Sequence, residues 1–114
     1  MSGASLRRRL PSRRRSETVD LTIGNMPFSA TVGFDADDRP QEVFLDGPKT
    51  GSAMSAMLGD AAVTISIALQ FGIPARALAK SISRTPDGMG RITAASVIGA
   101  ALDLLVDFEA SQNG

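Results

Sequence analysis

The chain has 114 residues, with twelve Lys plus Arg against twelve Asp plus Glu, 43% hydrophobic and 4% aromatic residues. That is one domain with a core of Ala, Leu, Ile, Val, Met and Phe, and it excludes a chain disordered throughout. There is no Cys and no His, which excludes thiol chemistry, disulfides, thiolate or imidazole metal sites and a histidine general base within this chain.

The N-terminal run "MSGASLRRRLPSRRRSE" has no hydrophobic period and a central Pro, and its composition predicts a disordered arm over residues 1–16. Arg7, Arg8, Arg9, Arg13, Arg14 and Arg15 hold half the cations of the chain. All twelve acids lie from Glu17 onward, so residues 17–114 carry six cations against twelve acids, a net −6, opposite an arm of +6. Guanidinium groups grip phosphates or carboxylates in bidentate fashion, so the arm is a candidate site for nucleic acid or another polyanion. The plainer reading is a solvated tail, or an arm folded over the acidic body.

The folded domain is expected over 17–110, with a tail at 111–114. Val19, Leu21 and Ile23 alternate with polar residues, as do Phe28, Ala30, Val32 and Phe34. Period two predicts two strands, joined by a hairpin at Gly24–Asn25. "DADDRP" is a polar turn, although Asp35, Asp37 and Asp38 resemble a cation loop by composition. "QEVFLDG" predicts a third strand with Val43 and Leu45 on one face and Phe44 on the other. Ser52 is placed to cap a helix over "AMSAMLGDAAVTISIALQF", whose apolar residues spread beyond one face. Met54, Met57 and Ile65 are candidate partner-interface residues. Ordinary core packing is the alternative for the methionines.

Gly72 reads as the residue that ends this helix, and Pro74 as the start of the next, "PARALAKSIS". "RTPDGMGR" reads as a loop, and Thr93 as the cap of a last helix. Asp103 and Asp107, four residues apart there, fit a solvated face better than acid–base work. The order βββααα predicts an α+β fold: a three-stranded antiparallel meander followed by three helices on one face.

The loop "GPKTG" raises the question of a phosphate cradle. A P-loop places its Lys after the second Gly, and here Lys49 precedes Gly51, so that order is absent. Lys49, Thr50, Gly51 and Ser52 remain a candidate phosphate site through free amides and the positive helix end. A stiffened corner with a capped helix explains the same residues.

"PQEVFLDGPKTGS" (40–52) and "DAAVTISIALQFGIP" (60–74) resemble the TSCPD domain family. That domain occurs at the C-terminus of cobalamin-dependent ribonucleotide reductases and in short stand-alone proteins of bacteria and phages. The likeness spans roughly 17–108 and extends to "RLPSRRRSE" and "GAALDLL". The family's Thr-Ser-Cys-Pro-Asp motif is replaced by "TAAS", Thr93–Ser96, without its Cys. The reductase reaction needs a thiyl radical and a pair of reducing cysteines. The resemblance therefore implies ancestry and not that activity. The expectation is a non-catalytic interaction or regulatory module without cofactor or metal. It is cytoplasmic, homodimeric through its apolar helices, and binds protein or nucleic acid. The alternative is a nucleotide-binding accessory of ribonucleotide reduction. No membrane partner is expected, because no apolar run is seen to approach the ~20 residues of a span, and the basic start is not read as a signal peptide because no apolar h-region follows it.

Overall fold

The computed structural model describes residues 15–47 and 51–113, with side chains to Ser111. The period-two segments form β1 (Ser16–Ile23), β2 (Met26–Phe34) and β3 (Pro40–Asp46), antiparallel in the order β1-β2-β3. The register sets Leu21 opposite Phe28 and Val32 opposite Val43, so the apolar alternates share one face. Phe28, Ala30, Val32, Phe34, Val43 and Leu45 are buried there. On the other face the Thr18 and Thr31 hydroxyls are hydrogen-bonded at 2.9 Å, and Phe44 lies exposed beside Thr31. Ile23 pairs with Met26 across a two-residue turn in which Gly24 alone takes a positive φ, 58°. That is the type II′ pattern, which needs glycine at its first central position.

Three helices follow: α1 (Ala53–Gln70), α2 (Ala75–Ala79) and α3 (Val97–Asn113). α1 lies along β3 and buries Leu58, Ala62, Ile65 and Leu69, a stripe at helical spacing. α3 adds Val97, Ala101, Leu102 and Leu105 to the same core, and α2 adds Ala75 and Ala79. This is the α+β architecture expected, a meander with its helices on one face.

β3 is an edge strand, and an edge presents unpaired backbone groups. α1 covers them with two polar side chains. Ser66 Oγ accepts the Val43 N–H at 2.9 Å and lies 2.8 Å from the Ala62 carbonyl and 3.3 Å from the Val43 carbonyl, which share its proton. One turn on, Gln70 Nε2 donates to the Gln41 carbonyl at 3.2 Å. α1 then ends as the sequence indicates. Gly72 takes φ 93°, and the Ile73 N–H reaches back to the Ala68 carbonyl at 3.0 Å, closing a Schellman motif.

Several expectations are corrected. "RTPDGMGR" is not a plain loop, because it carries the turn of a second sheet, β4 (Arg84–Pro86) against β5 (Ile92–Ala94). The Asp87 carboxylate accepts the Met89 and Arg91 N–H groups at 2.7 and 3.0 Å, so the residues that break a helical period close a hairpin. Thr93 sits in β5, and Ser96 caps α3 by accepting the Gly99 N–H at 3.1 Å. α2 is five residues long, and its first amide is bound by Glu109 of α3 at 2.6 Å. α3 runs to Asn113, so residues 111–113 continue the helix and are not a tail. The expectation that no apolar run approaches the length of a membrane span is also corrected. α1 has 18 residues and a mean hydropathy of 1.3, enough by length and composition to cross a membrane, although its Leu58–Leu69 stripe packs on the sheet.

Removing the Ser66 hydroxyl leaves the Val43 N–H without its partner at a half-buried edge. Ser66→Ala is expected to lower stability by about 1–2 kcal/mol, seen as a fall of roughly 5–10 °C in the thermal midpoint by circular dichroism. An unchanged midpoint contradicts the edge-covering role.

Candidate functional site

The described chain begins at Arg15. Arg15 stands one residue before β1, and its carbonyl accepts the Phe34 N–H at 2.9 Å, which extends the ladder. Its guanidinium donates to Asp38 at 3.2 Å and to the Glu17 carboxylate, and its carbon lies 3.8 Å from the centre of the Phe34 ring. Phe34 in turn meets Phe108 of α3 edge-to-face at 5.1 Å. Arg15 is thus tied to the core through an aromatic face. Its cation is shared with the protein's own carboxylates. The sequence signal was available in an aromatic residue on β2 opposite a strand start. Run-length reading had grouped Arg15 with its neighbours instead.

The acidic turn beside it is built by Asp35. One oxygen of that buried carboxylate accepts the Asp37 and Arg39 N–H groups at 2.8 and 3.0 Å, while Asp38 takes φ 61°. This is an Asx-type turn, which accounts for Asp35 as a backbone organiser, while the Asp38 carboxylate takes the Arg15 guanidinium. Among the described residues no group of three or more acidic side chains is placed to hold a metal ion.

Of the remaining arm candidates, Arg7, Arg8, Arg9, Arg13 and Arg14 lie outside the described residues, as do Lys49 and Thr50. Gly51 takes φ 76°, and the Ser52 hydroxyl accepts the Ser55 N–H at 3.1 Å, the capping role expected of it. The first turn of α1 holds no acidic residue, so no side-chain carboxylate within that turn competes for the helix's positive end.

The partner-interface candidates separate. Ile65 is 7% exposed and belongs to the core, because it faces the sheet in the Leu58–Leu69 stripe. Met54 and Met57 are 46% and 60% exposed, so core packing is not their role. Val63, Ile67 and Phe71, the residues that spread the apolar run beyond one face, are each exposed as well. Sequence reasoning missed that Phe44, with Val63 and Ile67, borders a groove of about 460 Å³ between β3 and α1.

Asp103 is not simply solvated. Its carboxylate receives both Arg84 guanidinium nitrogens, at 2.6 and 2.9 Å, and pins the second hairpin to α3. The hydrogen bond to Asp103, and then its charge, raise the Arg84 pKa above its ordinary value. Asp107 is exposed.

A family model described as the TSCPD domain matches residues 5–106. A vitamin B12-dependent ribonucleotide reductase of Agrobacterium fabrum is 35% identical over 86 residues, 73% of this chain and 7% of that protein. The Rhodopirellula baltica protein of the same name is 33% identical over 79 residues, covering 69% of this chain and 8% of its own length. The one from Streptantibioticus cattleyicolor is 35% identical over 69 residues, 60% of this chain and 12% of its own. The chain therefore spans a small part of the curated relatives it matches. No solved structure matches.

The Arg15 contacts are largely solvent-exposed, so their loss is cheap. Arg15→Ala is expected to lower stability by no more than about 1 kcal/mol, whereas Phe34→Ala, which empties the core beneath it, costs about 3–5 kcal/mol. Chemical denaturation of the two variants checks the order, and equal losses contradict it.

Proposed function

The chain belongs to the TSCPD domain family, and on that premise we propose that it is a non-catalytic binding module whose arginine arm grips a nucleic acid. One observation carries this reading. The arm's root is fastened by Arg15 to Phe34, Asp38 and Glu17. Five further arginines precede it, while all twelve acids lie on the other side. The acidic body offers phosphates little attraction, so contact falls to Arg7, Arg8, Arg9, Arg13 and Arg14. With no aromatic residue among them, that contact reads backbone charge and not sequence. The relatives' printed names describe reductases, and this chain has no Cys to supply their thiol chemistry. The reading places the protein in the cytoplasm, without a cofactor.

A second reading is supported by those names and by the start of α1. It makes the chain a phosphate-binding accessory of ribonucleotide reduction. Lys49 and Thr50 would meet a nucleotide's phosphates together with the amides at Gly51 and Ser52, next to a helix start without an acidic residue.

Titration of a fluorescent duplex across a salt series separates the two. Five phosphate contacts give a slope of about −4.5 in log K against log salt. Replacing Arg7, Arg8, Arg9, Arg13 and Arg14 by Ala abolishes binding, while Arg15→Ala changes affinity by less than about threefold, because that guanidinium is already shared. Duplex affinity that survives the five-fold replacement contradicts the arm reading. For the second reading, a nucleoside diphosphate raises the thermal midpoint of the native chain and not of Lys49→Ala. No rise in the native chain overturns it.

A further inference from the structure

The side of α1 that faces away from the sheet leaves Val63, Ile67 and Phe71 exposed, and Phe44 of β3 continues that apolar surface across the 460 Å³ groove between strand and helix. The charge around the groove has one sign. Glu42 and Asp46 line it, Asp60 stands exposed on α1, and no Lys or Arg lines the groove or belongs to α1. Such a face repels a copy of itself, because each copy brings the same carboxylates. It fits a segment that is basic and carries a few large apolar side chains.

We propose that the occupant is the chain's own arm, with Leu6 and Leu10 seated in the groove and the neighbouring arginines on its acidic rim. Residues 1–14 lie outside the described residues, and three observations point to them. The first is composition. Arg7, Arg8, Arg9, Arg13 and Arg14 are accompanied by no acid, and Leu6 and Leu10 stand among them. The second is reach. Ser16 lies opposite Gly33 and Gly33 opposite Glu42, so the arm starts two strands, about 10 Å, from the near end of the groove. The chain from Arg15 back to Leu10 spans up to about 17 Å, and from Leu10 to Leu6 a further ~13 Å, which matches the length of β3 from Glu42 to Asp46. Arg15 is already held on this side, by Asp38 in the turn that leads into β3. The third is that the TSCPD family model matches from residue 5, so Leu6 and Leu10 fall within the same match as β3 and α1. Contact is through side chains, since the Val43 N–H on this edge is already met by Ser66. Arginines held on the body are withheld from phosphates, so a nucleic acid must displace the arm. That consequence rests on the nucleic-acid reading above, whereas the docking does not.

Limited trypsin digestion of the full chain without nucleic acid reads the docking, because Arg7, Arg8 and Arg9 are cleavage sites between the two leucines. Cleavage there is expected to be at least ~tenfold slower in the native chain than in Leu6→Ser with Leu10→Ser, a factor that one buried leucine supplies. Gly59→Arg should release the arm from the other side. Gly59 lines the groove and a Cβ on it meets nothing within 4 Å, so this variant fills the groove without disturbing the core, and its thermal midpoint should not fall. Equal cleavage rates in the native chain and the variants overturn the proposal. So does protection that survives Gly59→Arg, which would place the arm elsewhere, or protection that grows with protein concentration, which would put the arm of a second copy in the groove. With a duplex added, Leu6→Ser with Leu10→Ser should bind about tenfold more tightly than the native chain, and unchanged affinity overturns the withholding. Failure of both chains to bind the duplex overturns the nucleic-acid reading and the withholding with it, while the digestion decides the docking by its own result.

Discussion

The rotation of α1 about its own axis is the constraint on which the rest depends. The helix is apolar nearly all round, and hydropathy alone leaves several orientations open to it. Two polar side chains choose one. Ser66 and Gln70, one turn apart, must meet the backbone of the β3 edge, Ser66 at Val43 and Gln70 at the Gln41 carbonyl. An unmet edge amide costs more than a methylene gains. Once they are placed, Leu58, Ala62, Ile65 and Leu69 face the sheet, and Met57, Val63, Ile67 and Phe71 have nowhere to go but outward. The bonds that close the sheet's free edge thus create the exposed apolar surface. They also exclude one style of partner. The covered stretch of β3 cannot accept an added strand, so association through this side must use side chains.

The turn that leads into β3 shows a parallel economy of charge. Asp35 spends one carboxylate oxygen on the backbone of its own turn, and Asp38 and Glu17 take the Arg15 guanidinium. Phe34 lies under that cation and against Phe108, so the last arginine of the run is coupled to β2 and α3. α2 is held by the same logic, its first amide answered by Glu109 from the neighbouring helix.

Legibility in the sequence followed how local the deciding physics was. The three strands were readable because their apolar residues alternate strictly and only one face is buried. The Gly24 turn, the Ser52 cap and the Gly72 stop were readable because each depends on a few neighbouring residues. The faces of α1 were not. Met54, Met57 and Ile65 look alike in hydrophobicity, and the choice among them is made 23 residues away in sequence, where Val43 meets Ser66. Ser66 and Gln70, four apart in a helix whose other polar side chains are Ser55, Asp60 and Thr64, were the signal available. The second hairpin failed for a related reason. Its strands are three residues each, too short for a period, and its turn is organised by Asp87. At the candidate sites, composition groups six arginines, of which only Arg15 lies among the described residues. It could not separate Arg15, because pairing with Asp38 is a property of the folded turn.

Amide hydrogen exchange at Val43 tests the central claim directly. Glu42 and Phe44 lie in the ladder with β2, whereas the Val43 N–H points to the open edge and is protected only by Ser66. The account predicts protection at Val43 comparable to that of Glu42 and Phe44. Exchange at Val43 as fast as that of an unpaired edge amide would mean that α1 is not clamped in this rotation, and its exposed face would lose its physical basis.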